Sequence, residues 1–351
     1  MNLADLSKHT STWFNTPGPQ SEIVISSRVR LARNLAGFQF LPCLDSDRKS
    51  EILNKLTAEL KGIDLDCRTS YIDIASATDL ERELLVERHL ISRRHANGTG
   101  PRGLVLSEDE SFAAMINEED HLRMQVYKTG LQLQQCWQRI DGIDDQLEKH
   151  LDYAFSPKYG YLTACPTNLG TGIRVSVMLH LPALKMTRQL DKFFNAARDL
   201  DLAVRGLFGE GTEATGDFFQ LSNQVTLGLS EQEIVDQFAT AIVPQIVAYE
   251  SAAREELLRS RPAVLDDKVQ RALGVLRSAR LISSQEALFL LSHLRLGVNL
   301  GKLPNLSITD VNELFMLTQP AHLQLNARKT LTPDDRDVMR ANIIREKLTT
   351  A

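Results

Sequence analysis

The pattern of this sequence changes near Pro262. Before that point, short apolar runs bounded by glycines and acids alternate with helical stretches. Beyond it the periodicity is helical throughout, with candidates at Leu265 to Arg280, Ser284 to Leu296 and Asp310 to Leu317. Short bounded runs pair into sheets, whereas a sustained 3.6-residue period builds helices packed on helices. The chain therefore reads as a mixed strand-and-helix part followed by a helical part. Its 351 residues fit two domains, because a single core rarely grows so large.

In the first part, Glu22 to Ser26, Gly103 to Leu106, Phe112 to Ile116, Leu122 to Tyr127 and Phe218 to Leu221 read as strands. Asp45 to Leu60, Leu80 to Ile91, Gly130 to Leu151 and Met186 to Leu200 read as amphipathic helices. Arg174 to Leu181 fits either a helix or a buried strand. Ser230-Glu231-Gln232-Glu233 is a capping box opening a long helix, which Pro244 should kink or break. The first 21 residues, with Trp13 and Phe14 ahead of Pro17-Gly18-Pro19, read as a docking arm. Thr332-Pro333, followed by two acids, starts the last helix.

Several stretches carry chemistry. In Ala164 to Arg174, the small side chains of Asn168, Gly170, Thr171 and Gly172 would let backbone N–H groups approach an anion beside Arg174; a tight strand connection is the alternative. Arg28 and Arg30 share one face of an extended segment, where they repel unless an anion lies between them or solvent surrounds them. Glu118, Glu119 and Asp120 follow a strand directly, and consecutive side chains cannot share one face. Part of that run points inward to a site that holds a cation, or the run is a polar hairpin turn. The glycine-rich stretch from Ala203 to Gly216 reads as a mobile loop able to close over a ligand, or as a plain connection. Arg336 and Arg340 lie one turn apart on a helix face.

Arg28, Arg30, Arg123, Arg174 and Arg205 each stand beside a strand or turn signal, with acids at Glu119 and Glu210. Five converging arginines suit a nucleotide triphosphate where no P-loop is present, and no Walker sequence occurs. A net charge of −5 with 40 Lys and Arg argues against broad nucleic-acid binding. The four cysteines form no C-x-x-C pair, so neither a zinc site nor a disulfide framework is expected, and a cytoplasmic location fits. No window approaches the roughly 18 apolar residues of a membrane span.

With these residues in hand, the sequence resembles the phosphagen (guanidino) kinase superfamily. Cys165-Pro166-Thr167-Asn168-Leu169-Gly170-Thr171 is similar to the family signature, Asn117-Glu118-Glu119-Asp120 to its acidic motif, and Ser27-Arg28-Val29-Arg30 and Arg205 to Glu210 to its phosphate strand and mobile loop. The arginine strand begins almost at once, which leaves no room for the helical domain that free-guanidine kinases place first. The substrate side is therefore expected to be open. Arg336-Asp337 with Arg340-Ala341 is similar to the phosphoarginine-binding motif of bacterial protein arginine kinases of the McsB type, so the implied substrate is the arginine side chain of proteins.

The resemblance implies an α+β fold: a catalytic domain over residues 22–258, built on a mainly antiparallel, glutamine-synthetase-like sheet flanked by helices, then an all-helical domain over 259–351. It implies Glu119 and Glu210 as catalytic acids. Ser26, Ser27, Arg28, Val29, Arg30, His89, Arg123, Arg174, Val175, Ser176, Val177 and Met178, with Arg205, Gly206, Leu207, Phe208, Gly209 and Glu210, would bind ATP and its phosphates. Arg336, Asp337, Arg340 and Ala341 would bind phosphoarginine allosterically. Cys165 is a redox-sensitive candidate or a buried structural thiol. Mg2+ would be held mainly through the nucleotide, with no dedicated protein ligands. Proteins bearing exposed arginines, an activator protein, a Clp protease system and a homodimer are the implied partners. The competing readings are an ATP-dependent carboxylate–amine ligase and a non-catalytic phosphoarginine-binding adaptor.

Overall fold

The computed structural model describes residues 3–11, 14, 17–65, 67–206 and 215–350, so Trp13 lies outside the described residues. Its strands are β1 (Val24–Arg33), β2 (Thr69–Asp73), β3 (Gly103–Ser107), β4 (Phe112–Ile116), β5 (Leu122–Thr129), β6 (Phe155–Ser156), β7 (Gly160–Tyr161), β8 (Ile173–His180), β9 (Leu202–Arg205) and β10 (Phe218–Asn223). Eight of them form one sheet in the order β2-β3-β4-β5-β1-β8-β10-β9, and every neighbouring pair is antiparallel. β6 and β7 form a separate hairpin. The antiparallel sheet flanked by helices is thus the architecture the sequence implied, and the segment after Arg174 is a strand.

Register decides what the sheet can do. Arg28 lies opposite Tyr127 and Ser176, and Arg30 opposite Gln125 and Arg174. Directly opposed residues share a face, so these side chains form a polar front. The residues between them, Val29, Leu31, Met124, Val126, Val175 and Val177, belong to the main core behind, with Ile52 and Leu56 of the helix Ser46–Gly62 and Ile140 of the helix Leu133–Glu148. Each such side chain contributes about 1.5–3 kcal/mol by burial. A one-residue slip would drive the arginines into that core, so apolar packing on one face fixes the charged geometry of the other.

Two covers leave the middle of the front face open. Leu3 and Leu6 of the arm and Leu84 and Leu85 of the helix Asp79–Glu87 cluster with Leu104, Leu106, Ala113 and Met115 of β3 and β4. The C-terminal helices cluster with Ile25 and Phe218 through residues such as Leu291 and Phe315. The break expected at Pro244 is a π-helical segment, Phe238–Ile242, between the helices Glu231–Gln237 and Val243–Ser260. Arg261 then separates Val243–Ser260 from Pro262–Ser278. The tail continues as Ser284–Asn299, Ile308–Leu317, Pro320–Ala327 and Pro333–Thr350.

Candidate active site

A cavity of about 620 Å³ opens on the uncovered front face, and Arg28, Arg30, Arg123, Arg174 and Arg205 all line it, with Glu118, Glu119, His89 and Cys165. Each of the five comes from a strand of the eight-stranded sheet: Arg28 and Arg30 from β1, Arg123 from β5, Arg174 from β8 and Arg205 from β9. Arg93 and Arg94 line it too. They were not singled out from the sequence, where the only available signal was a capping serine, Ser92, followed by two basic residues.

Arg30 is the electrostatic centre. It is 9% exposed, and neither its Nε nor its Nη2 has a hydrogen-bond partner. Burial first, and then the charges of Arg28, Arg123 and Arg174, push its proton affinity well below that of an ordinary guanidinium. A buried cation among cations is costly unless an anion joins it. Arg28 is held in place beside it, donating from Nε to Ser176 Oγ (3.1 Å) and from Nη1 to the Tyr127 hydroxyl (2.8 Å).

The acidic run divides its labour. Asn117, at φ 60°, turns the chain between β4 and β5 and ties it down by donating from Nδ2 to the carbonyls of Lys49 and Pro101. Glu118 turns inward, accepting from Arg123 Nη1 at 2.8 Å and from the Ser92 hydroxyl. Burial alone would raise its pKa; the Arg123 charge and these hydrogen bonds overcome that and hold it down to about 2. Glu119 faces the cavity and accepts from Arg94 Nη1 at 2.6 Å. Asp120 Oδ1 accepts from Asn34 Nδ2 (2.6 Å) and from the Ala164 amide (2.7 Å), tying this turn to the segment that leads to Cys165.

The glycine turn works differently from the expected anion cradle. The Gly170 amide donates to Tyr161 O, and the Thr171 amide to Thr226 O. A Cβ on Gly170 would lie 2.3 Å from Thr226 O, and one on Gly172 2.6 Å from Ala32 O. The glycines are needed for backbone packing, and the Gly170 and Thr171 donors are used within the fold. What reaches the cavity from this turn is Cys165, Thr167 and Asn168, with the Cys165 sulfur 3.0 Å from Thr167 Oγ1. Cys165 is therefore half-buried beside the site and not a core thiol.

Other candidates separate by position. His89 lines the cavity, and burial, then Arg28, hold its ring neutral with a pKa lowered to about 3; its carbonyl accepts from the Tyr127 hydroxyl and Gln125 Nε2. Ser26 and Met178 line a small adjoining cleft with His89 and Tyr127. The Ser27 hydroxyl donates to Gly130 O and accepts from the Gln132 amide, so it braces the end of β5 and does not line the cavity. Val29, Val175 and Val177 lie in the main core, as their register demands. Leu207, Phe208, Gly209 and Glu210 lie outside the described residues, and Gly206 is buried at their border. In the tail, Ala341 is part of the helical core, and Arg340 is 1% exposed, donating to Thr318 O and Ile282 O (2.8 Å each) and pairing with Asp337. Arg336 is half-buried and donates to Leu331 O.

Comparison with known proteins matches residues 51–253 to the ATP:guanido phosphotransferase C-terminal catalytic domain and residues 262–351 to the protein-arginine kinase McsB C-terminal domain. A protein-arginine kinase of Pelotomaculum thermopropionicum is 46% identical over 96% of this chain and 95% of its own. One from Halothermothrix orenii is 44% identical over 99% of both chains. Among solved structures, the duplicated taurocyamine kinase of Schistosoma mansoni, with bound transition state analog components, is similar with a TM-score of 0.62 and 28% identity, over 77% of this chain and 39% of that one. A lombricine kinase is similar with a TM-score of 0.59 and 26% identity, over 71% of this chain and 75% of that one.

Proposed function

The chain belongs to the ATP:guanido phosphotransferases and, among them, to the protein-arginine kinases, and from that premise we infer how its own residues transfer the γ-phosphoryl group of ATP to arginine side chains of proteins. The observation that carries the reading is Arg30, a buried guanidinium with unpartnered nitrogens in a cluster of five arginines, facing Glu119 in one cavity. The cluster suits the triphosphate, and its charge would stabilise the transferring group. An arginine guanidinium stays protonated to above pH ~12 and is a poor nucleophile. Glu119 would localise its lone pair by accepting a proton and would hold it in line with the γ-phosphorus. Glu210, outside the described residues, would grip the guanidinium from the loop.

Mg2+ would arrive with the nucleotide. Among the described residues no three His, Cys, Asp or Glu side chains converge as a metal site, and of the two acids lining the cavity Glu118 is tied to Arg123. The ion would supply charge neutralisation on phosphate oxygens. The tail residues Arg336, Asp337 and Arg340 would form a second site for phosphoarginine, in which the committed donors of Arg340 give it a positioning part. An activator protein, a homodimer, delivery of marked proteins to a Clp protease and a cytoplasmic location rest on the family resemblance. No helix among the described residues is long and apolar enough to cross a membrane.

The test is to incubate the protein with labelled ATP, Mg2+ and an arginine-rich protein, then acidify. A phosphoramidate label is lost in acid, whereas a serine or threonine phosphate survives; an acid-stable label would overturn the reading.

A further inference from the structure

Arg94 was not among the expected site residues, yet its guanidinium sits on the carboxylate assigned above to the reaction, with Nη1 2.6 Å from Glu119 Oε1. The two residues come from separate segments. Arg94 lies in the first turn of the short helix Arg93–Asn97, and Glu119 lies in the turn between β4 and β5. Ser92, the cap of that helix, also bonds Glu118, so the segments are joined at two consecutive acids.

The two joints differ in permanence. At the inner one, the Glu118 and Arg123 side chains are 1% and 16% exposed. At the outer one, Glu119 is 19% and Arg94 58% exposed. A guanidinium largely in water leaves its partner at little cost, whereas a buried pair cannot separate cheaply. Arg94 is also the same chemical group that the reaction consumes. A guanidinium resting on Glu119 occupies the place that an incoming arginine must take.

We propose that Arg94 is a built-in acceptor mimic, which covers Glu119 until the arginine of a substrate protein displaces it. This rests on the assignment of Glu119 as the acid that meets the acceptor. Competition of this kind raises the KM for the acceptor by the reciprocal of the uncovered fraction and drops out at saturation. An exposed pair shifts such an equilibrium by up to about fivefold.

The experiment is steady-state kinetics of the full chain with ATP, Mg2+ and an arginine-containing peptide. Arg94→Ala should lower the KM for the peptide about two- to fivefold, with kcat held or raised and the KM for ATP unmoved. Arg94→Lys, which keeps the charge, should restore most of the original KM. An unchanged peptide KM, a fall in kcat, or a parallel change in the KM for ATP would overturn the proposal. So would phosphate on Arg94 after incubation with ATP alone, since Arg94 would then be a substrate and not a competitor. Glu119→Gln separates the two ideas. If that variant turns over normally, the assignment of Glu119 fails; if it is inactive while Arg94→Ala leaves the peptide KM unchanged, only the mimic fails.

Discussion

The Glu118 carboxylate accepts from Arg123 Nη1 at 2.8 Å with 1% of its side chain exposed, so one acid of the run is committed to holding an arginine and cannot serve as a base. The consequence is a pH-dependent stability. Its pKa of about 2 lies below the ordinary 4.5, so the native state binds fewer protons than the unfolded chain. The stabilisation is full above about pH 4.5 and is lost as pH falls toward 2. Glu118→Gln is expected to lower stability by about 3 kcal/mol at neutral pH, from a shift of that size. In urea titrations the gap between parent and variant should close across that acid window.

Glu119 makes a different prediction because its partner, Arg94, is no member of the five-arginine cluster. Glu119→Gln should cut arginine phosphorylation by about 10²–10⁴-fold, the usual worth of a positioned general base. Nucleotide affinity, read with a fluorescent ATP analogue, should hold. Full-rate labelling by the variant would show that the base lies elsewhere.

Arg30 places stability and function in opposition. Its unpartnered, buried guanidinium is repelled by Arg28, Arg123 and Arg174. Arg30→Met should therefore leave the nucleotide-free protein as stable as the parent or raise its Tm, because an apolar side chain relieves an uncompensated charge. The same change should abolish the Tm increase that ATP with Mg2+ gives the parent, and lower the transfer rate by about 10³-fold or more. A variant that is destabilised but still responds to ATP would contradict this account.

What the sequence disclosed depends on how local the signal was. Arg28 and Arg30 alternate with the apolar Val29 and Leu31, so their shared face could be read directly. β2, with its polar Thr69 and Ser70, and the helix Pro320–Ala327, whose buried residues Ala321, His322 and Leu323 are consecutive, carry no such period and were missed. The acidic run announced a site without saying which carboxylate faces it, because that depends on how the nearby Arg123 folds back and on Ser92 and Asn34, which are distant in the chain. The glycine turn misled for a similar reason. Its small residues answer to the carbonyls of Ala32 and Thr226, about 140 and 55 positions away.

That packing is directly testable at Gly172, where φ is +65° and a Cβ would meet Ala32 O at 2.6 Å. Neither atom is at the end of a flexible side chain, so Gly172→Ala must shift β1 or the turn. We expect a loss of about 2 kcal/mol or more, beyond the roughly 1 kcal/mol that a left-handed alanine costs. Urea unfolding measures it, and a neutral result would mean that the turn is free to relax and is not held by the fold.

Arg336 and Arg340 look equivalent in sequence, and the structure makes them unequal. Arg340 Nε and Nη1 each donate at 2.8 Å to a main-chain carbonyl, of Thr318 and Ile282, so the last helix is tied through it to the segments on either side. Arg340→Ala leaves both acceptors without that donor, at about 1–3 kcal/mol each. Arg336 donates to Leu331 O and is half-buried, so Arg336→Ala should change stability by about 1 kcal/mol or less. If these residues bind phosphoarginine, Arg336→Ala will weaken binding of a phosphoarginine peptide while leaving Tm nearly unchanged, because among the described residues only one hydrogen bond, from Nη1 to Leu331 O, holds a guanidinium that is otherwise able to meet a phosphate. Equal loss of binding and of Tm in both variants would instead assign the motif to holding the helices together.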